Sequence, residues 1–591
     1  MAEDVTAYDS SFFHVSYSGR KVLVLVPHQD DEINVAGNTI QTLLHAGAEV
    51  FVTFSTNGDF FYSADTRINE AINSLSVLGV DKSHIFLLGY GDSLNGYPGG
   101  HIFNAATKPI ASPHFSTQTY GAAGISDFSY YLRKEHSPYT KPSYRRDLKD
   151  LILHVRADII LCVDFDFHAD HRMLTLNFES VMGEILSRPD NDYKPQVFKR
   201  FAYTIAFMAV QDLFADNLLS TIKPSHEKQF DYIIGTSCYS WETRVRMPIP
   251  EGCRTTVLAG NTIAEALAKH VSQSAYINAE NIINSDEVFF KRRTDSLTYS
   301  AKLSATSGNP EYVRDFKMLN VSEIETFTPE WADYLWQPDP EDSGKKLVFT
   351  WEAGQTVSRV VLWGNVKGTP IQKVLLKAGG YETECGPLPE QGLPLVIDIP
   401  EQQGLRELSI AILDQGGSDG GLAEVEVFAQ KEQEGVIKPF IQVTADDNFV
   451  YEYKRKPDEK IIPIGCYCYM TDCPVSYEVK GPAHLEGNNL VFDGEGDVIL
   501  RAEAGELYCQ SVFGTFKAGE LEALHSQQSR EKEGLLRMGV ELQKRNKYEM
   551  RKRVFRDMLH YRGIFAAIKY LIGELLGTNK EEPDAALQPP K

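Results

Sequence analysis

Over the first 300 residues, short unbroken apolar runs alternate with stretches of helical periodicity. Residues 22–27 (VLVLVP) are continuously apolar, as a strand buried on both faces requires. Helical spacing over 36–46 follows and stops at Gly47. Residues 50–56 (VFVTFST) predict a second strand, ended by the turn signal Asn57-Gly58. A helix through 70–78, closed by Gly79, leads to a third apolar run at 85–88, and another through 147–155 leads to a fourth at 159–163 (IILCV). Strands alternating with helices predict an α/β, Rossmann-like parallel sheet. Residues 93–145, rich in Gly, Pro, Ser and Tyr, predict a loop-rich insertion near the site.

The pattern changes after residue 305. Short strand-like runs at 349–351, 359–363, 373–377, 395–399, 408–413 and 423–428, with turns between them, predict an antiparallel β-sandwich. Residues 431–435 read as a linker, and a smaller Ig-like all-β unit follows to residue 517. Helical character resumes over 521–576, ahead of a tail whose composition predicts disorder. A chain of 591 residues is too long for one hydrophobic core. The expected multi-domain order is an α/β catalytic domain at 1–305, all-β sandwich domains at 306–430 and 436–517, a C-terminal helical region at 518–577 and a tail at 578–591.

Composition narrows the function. The formal charge of −22 argues against a nucleic-acid partner, which needs a broad basic surface to displace counterions. Eight cysteines spread over the chain do not make a disulfide scaffold. The start of the chain shows no basic-then-apolar signal, and no run reaches the roughly 18–20 apolar residues that span a bilayer. The expected location is cytoplasmic. One segment qualifies this: residues 544–556 hold seven basic side chains against one acid, Glu549, and lead into the apolar run 563–576 (GIFAAIKYLIGELL). Such a pair is either a helix packed on the protein or on a second copy, or a peripheral anchor on the inner face of a membrane.

Two motifs carry the chemistry. Pro27-His28-Gln29-Asp30-Asp31-Glu32 directly follows the first strand, and His168-Ala169-Asp170-His171 closely follows the strand at 159–163. Open α/β sheets place ligands beyond the carboxyl ends of their strands, so the two clusters can meet there. Catalytic zinc takes three N or O ligands and leaves a position for water. A carboxylate can then take that water's proton, and a positioned donor can stabilise the oxyanion. His28, Asp30, Asp31, His168, Asp170 and His171 suffice for these jobs, but residue types alone leave the assignment among them open.

PHQDDE followed by HADH resembles the paired signature, AHPDDE and HxDH, of the PIG-L/LmbE-type N-acetylglucosaminyl deacetylases. The resemblance implies that His28, Asp31 and His171 hold zinc, with iron(II) as the alternative metal. It implies Asp30 as general base and His168 as oxyanion or leaving-group partner, with Asp170 hydrogen-bonded to His168 to orient it. Pro27 and Gln29 depart from the family pattern and bear on loop shape. Thr66-Arg67-Ile68-Asn69-Glu70 with Leu78-Gly79-Val80, and residues 88–93 (LGYGDS), resemble further family segments and imply that Arg67 and Asp92 contact sugar hydroxyls. Residues 268–273 (AKHVSQ), with Phe289 and Arg292-Arg293, resemble the downstream end of larger members. The implied substrate is an N-acetylated amino sugar in a glycan or glycoconjugate pathway. Residues 310–430 resemble discoidin-like, galactose-binding sandwiches through Trp331-Ala332-Asp333-Tyr334 and residues 359–364 and 421–428. That implies a carbohydrate-binding or groove-shaping role.

Plainer roles compete with these. An aspartate at a strand end can simply cap a helix. Asp164 and Asp166 read as loop-shaping, and His101, His114, His136 and His154 as surface or insertion residues. Cys466, Cys468 and Cys473 lack the C-x2-C spacing of zinc modules and read as reduced structural thiols. The alternative functions are a carbohydrate-binding scaffold with an inactive deacetylase domain, and a hydrolase of another amide or ester.

Overall fold

The computed structural model describes residues 7–92, 108–109, 111–112, 115–166, 168–203, 213–223, 239–318, 335–365 and 368–576. Ser93, His101, His114, 331–334 and the tail 578–591 lie outside the described residues.

A two-residue strand, β1 (Asp9–Ser10), precedes β2 (Lys21–Val26), β3 (Glu49–Thr56), β4 (Ile85–Tyr90), β5 (Ile159–Val163), β6 (Gln196–Arg200), β7 (Val245–Pro248) and β8 (Asp286–Arg292). Strands β2 to β8 form one sheet in the order β4-β3-β2-β5-β6-β8-β7. The first five in that order run parallel, and β8 and β7 are antiparallel at one edge. Residues 22–26 are almost wholly buried, as their unbroken apolar character requires. Helices α1 (Asp31–His45), α2 (Ala64–Leu78), α3 (Lys141–Val155) and α4 (Ala169–Leu186) connect the parallel strands. From β2 the chain moves to β3 on one side, whereas from β5 it moves to β6 on the other. The crevice between β2 and β5 is thus the topological switch point of the sheet.

Helix α1 begins five residues before its apolar periodicity. Its buried face carries Asn34, Asn38, Thr39, Gln41 and Thr42, which hide the hydrophobic spacing. Two of these polar positions are matched by buried Glu287 of β8, which accepts from the backbone N–H groups of Asn38 (3.0 Å) and Thr39 (2.8 Å). A non-helical residue, Ala36, further breaks the pattern.

The next sheet contains β9 (Lys302–Ala305), β10 (Lys346–Gly364), β11 (Lys373–Ala378), β12 (Tyr381–Cys385), β13 (Pro394–Asp414) and β14 (Leu422–Phe428), all antiparallel. The runs expected at 349–351 and 359–363 are two parts of β10, and those at 395–399 and 408–413 are two parts of β13. Register shifts between Thr350 and Arg359 bend this long pair without ending it. At the bend a Cβ on Gly354 would stand 2.7 Å from the Gly404 Cα, so the strands approach this closely because Gly354 lacks a side chain. Trp336, Phe349, Leu362 and Val425 fill the core.

Strands β15 (Phe440–Ala445), β16 (Asn448–Phe449), β17 (Glu452–Arg455), β18 (Ile461–Tyr469), β19 (Ser476–Lys480), β20 (Ala483–Glu486), β21 (Asn489–Phe492), β22 (Val498–Ala504) and β23 (Leu507–Thr515) form two more sheets. One of them is completed by β1: Asp9 pairs with Gln510 and Ser10 with Cys509. Phe440, Phe449, Tyr451 and Tyr469 belong to the same core as β2 and α1. The described cysteines are all free thiols.

Helix α5 (Glu520–Arg562) has 43 residues and is about 65 Å long. It lies along the α/β unit. Glu531 accepts from the backbone N–H groups of Leu258 and Ala259, and Gln528 donates to the carbonyls of Ala215 and Thr256. Gly563, at φ +80°, ends it and starts α6 (Ile564–Leu576). Among the described residues no helix is long and apolar enough to cross a membrane.

Candidate metal centre

The two motifs leave the adjacent strands β2 and β5 and meet at the switch point. His28 follows β2, and Asp31 opens α1. The Asp31 carboxylate bends back: its Oδ2 accepts the His28 backbone N–H at 3.1 Å and lies 3.1 Å from His28 Nδ1. The same oxygen lies 3.2 Å from Nε2 of His171, in the first turn of α4. Ligand atoms of a tetrahedral zinc, each about 2.0–2.2 Å from the ion, stand about 3.4 Å apart. The spacing of the Asp31 oxygen from each ring nitrogen is close to that of two ligands on one ion. Asp31 Oδ1 is buried and has no hydrogen-bond partner among the described residues, and His171 Nε2 faces only the Asp31 carboxylate there. Such orphaned buried groups are costly unless something binds them. Two imidazoles and a carboxylate suit zinc or iron(II). His168 adds a third ring near His28 and His171, and Asp92 and Asp170 group around His28 on its other side.

Asp166 oxygens brace the second motif. Oδ2 stands 2.7 Å from His171 Nδ1, and Oδ1 accepts the His168 backbone N–H at 2.8 Å. Asp166, read from sequence as loop-shaping, therefore also fixes which nitrogen of His171 faces the centre. Asp164 does hold structure, through a buried ion pair with Lys199 at 2.7 Å. Asp170 also departs from expectation. Its carboxylate Oδ2 stands 3.0 Å from His28 Nε2, and it is the Asp170 backbone N–H that donates to His168 Nδ1, at 3.2 Å. The reason is geometric: His168 is the N-cap of α4, so its ring turns to the helix end.

This bond assigns the His168 tautomer. Nδ1 is the acceptor, so a neutral ring carries its proton on Nε2. Burial, with His28 and His171 nearby, holds His168 well below the ordinary histidine range and keeps it neutral.

Asp30 occupies the N-cap position of α1, yet its side chain caps nothing. Its φ of +134° is strained for a residue with a Cβ and is held by neighbours. Its N–H donates to Glu32 Oε2 at 2.8 Å, and Glu32 Oε1 lies 2.8 Å from His270 Nε2. Arg67 Nη2 donates to the Gln29 carbonyl at 2.6 Å and lies 3.5 Å from Asp30 Oδ1. Gln29, where the family pattern has proline, donates to the Thr56 carbonyl at 2.8 Å. It fills the space a Cβ at Gly58 (φ +62°) would need, so the loop is shaped by a side-chain bond instead of a ring. Burial lifts the Asp30 carboxyl to about 6, with Arg67 opposing and Asp31 adding.

Asp92 lies 3.4 Å from His28 Nε2 and takes its own place from Asp59, whose Oδ1 accepts the Asp92 N–H at 2.7 Å. Burial raises it too. Glu70 of the R-x-x-E segment grips Ser272, accepting from its N–H and hydroxyl at 2.8 and 2.6 Å. The residues that sequence reasoning missed are Asp166, Glu32, His270 and Tyr203, whose ring stacks on His171 at 4.8 Å. Glu32 stood inside a quoted motif and His270 inside AKHVSQ, so both had a signal. Tyr203 had none. His136 pairs with Asp127 at 2.7 Å, and His154 packs against Phe86, Phe128 and Tyr131.

A family model described as PIG-L, GlcNAc-PI de-N-acetylase, matches residues 23–181. Similar solved structures include N,N'-diacetylchitobiose deacetylase from Pyrococcus horikoshii, with 18% identity over 46% of this chain and 84% of that one, TM-score 0.23. A deacetylase of the teicoplanin biosynthesis pathway shows 15% identity over 46% of this chain and 99% of that one, TM-score 0.27. The family 32 CBM from C. perfringens NanJ, solved with galactose, shows 19% identity over 22% of this chain and 92% of that one, TM-score 0.17. No curated protein matches the sequence. Residues 23–181, which carry both motifs, are a PIG-L family domain.

Proposed function

We propose that the chain is a metal-dependent hydrolase that removes the N-acetyl group from an N-acetylated amino sugar in a glycan or glycoconjugate pathway. The observation that carries this reading is the placing of one Asp31 oxygen within 3.2 Å of His28 Nδ1 and His171 Nε2, with His171 Nε2 otherwise unpartnered among the described residues. His28, Asp31 and His171 are the ligand set, and zinc or iron(II) the metal. A bound ion supplies Lewis acidity and brings a coordinated water's pKa down to roughly 7. Asp30, raised by burial, receives the water's proton and can later return it to the departing amine. His168 Nε2–H donates to the oxyanion. Asp170 and Asp166 orient His28 and His171. Arg67 and Asp92 face the sugar, Arg67 while also holding the Gln29–Asp30 peptide. The sandwich formed by β9 to β14 helps present the glycan. The test is acetate release by zinc-loaded protein from a panel of N-acetylated sugars, sugar nucleotides and lipid-linked sugars. No release from any of them, with wild type equal to Asp30→Asn, overturns the reading.

A second element concerns location. Ile564, Phe565, Ile568, Leu571 and Ile572 of α6 are exposed, Phe565 to 87%. That apolar face favours a cytoplasmic protein in peripheral contact with a membrane. Equal co-sedimentation of wild type and a Phe565→Glu/Ile568→Glu variant with anionic vesicles overturns it.

A further inference from the structure

The basic stretch 544–556 is the strongest sequence feature that the deacetylase reading leaves unused, and α5 carries it past the loop that bears Asp59 and Phe60. Arg545 Nη2 donates to the Ser272 carbonyl at 2.9 Å, beside the segment that bears His270. Two turns on, the Arg553 guanidinium lies on the Phe60 ring, 3.6 Å from its centroid. Two turns further, His560 stacks on Phe115 at 3.8 Å. These three points span 15 residues, about 22 Å of helix, so the segment is fixed against the α/β unit.

Phe60 follows Asp59, the residue that positions Asp92 beside His28. Arg553 is thus separated from the metal centre by one short loop, and Asp92 lies within its electrostatic reach. Arg553 is 4% exposed. A buried cation needs partners for its N–H groups. Arg553 Nε has one, Asp557 Oδ2 at 3.4 Å, and Nη1 has none among the described residues. Asp557 is moreover shared with Arg556, whose Nε lies 3.5 Å from Oδ1. Asp557 is the carboxylate in contact with the buried Arg553 side chain among the described residues, and it meets only the Nε edge of the guanidinium. In a chain of formal charge −22 the long-range field repels anions. A local, desolvated cation is what would let an anionic substrate dock.

We infer that α5 supplies an anion subsite to the active site, in which Arg553 Nη1 receives an anionic oxygen borne next to the amino sugar, on a phosphate ester or a carboxylate. The sugar half of this statement rests on the deacetylase reading, while the anion half does not. Phe60 serves as the platform on which the guanidinium rests, next to Asp59.

The test uses the full-length, zinc-loaded protein and calorimetric titration with N-acetylglucosamine, N-acetylglucosamine 1-phosphate, glucose 1-phosphate and glucuronate. Wild type should bind N-acetylglucosamine 1-phosphate at least about tenfold more tightly than N-acetylglucosamine. Arg553→Gln should remove that difference and leave N-acetylglucosamine binding unchanged, with Arg553→Lys intermediate. In turnover, Arg553→Gln should raise KM for the phosphorylated sugar and leave kcat within about twofold. Preference for the phosphate or for glucuronate separates the two sources of the anion. Loss of acetate release alone, with glucose 1-phosphate still bound in an Arg553-dependent way, would defeat the deacetylase reading and support the subsite. Equal binding of neutral and anionic sugars by wild type overturns the subsite, as does equal weakening of both by Arg553→Gln. If Arg553→Gln does not fold, Arg553→Lys and Phe60→Leu carry the comparison, and unchanged anion preference in both overturns it.

Discussion

Asp166 Oδ2 stands 2.7 Å from His171 Nδ1, and the opposite nitrogen of the same ring is turned to Asp31. A carboxylate behind a metal-ligating histidine fixes its tautomer and makes it a better donor. Asp166→Asn should therefore weaken zinc binding about 10- to 100-fold, while His171→Ala should abolish it. Competition with a chromogenic chelator measures both. Unchanged affinity in Asp166→Asn would show that His171 is not a ligand or needs no orienting.

In the proposed reaction Asp30 carries the proton and does not hold the metal, so its removal should separate chemistry from metal binding. Asp30→Asn should retain the metal and lower kcat by about 10²- to 10⁴-fold. Metal content by atomic absorption beside acetate release reads the two effects independently.

Glu32 and His270 act at one remove, by holding the strained Asp30 peptide. His270→Ala should lower kcat by roughly 10-fold or more, since misplacement by about 1 Å can cost 10²-fold, with zinc affinity nearly unchanged. Glu32→Gln, which keeps the shape, should lie between it and wild type. A parallel loss of metal in His270→Ala would move His270 from positioning to the centre itself.

A pH effect is expected far from the site. Glu424 is buried, accepts from the Phe316 N–H at 3.1 Å and is paired with the Tyr299 hydroxyl at 3.2 Å. Burial, with Asp315 adding, raises its carboxyl well above the ordinary 4.5. The folded protein thus keeps a proton that the unfolded chain releases. This stabilisation is present below about 4.5 and is lost as pH rises toward the folded value. Glu424→Gln removes the loss, so its Tm should match wild type near pH 4 and exceed it increasingly toward pH 8. A difference that does not change with pH would contradict the burial argument.

The parallel sheet was legible because residues 22–26 and 159–163 are apolar without interruption, which only a doubly covered strand explains. The place of the candidate site was legible, because HxDD and HxDH concentrate rare residue types at two strand ends. Their partners were not. Nothing in the spacing of Asp166 and His171 distinguishes a bracing carboxylate from a turn residue, and the contact of Asp170 with His28 joins residues 142 apart in sequence. Helix α1 hid its first turns because its buried face is polar, and two of those positions, Asn38 and Thr39, are met by Glu287 from a strand about 250 residues later. Long-range pairing of this kind leaves no local signature.

The two residues of β1 have a bearing on how the protein is made. Asp9 and Ser10 find their partners at Gln510 and Cys509, some 500 residues downstream. Phe440, Tyr451 and Leu535 share the core of the α/β unit. At about 5–20 residues per second of synthesis, the first strand waits about 25–100 s on the ribosome before its partner emerges. The catalytic layer meanwhile stands with an open seam. An N-terminal half released early would leave that seam exposed, so premature termination should yield aggregation-prone chains rather than a free-standing enzyme.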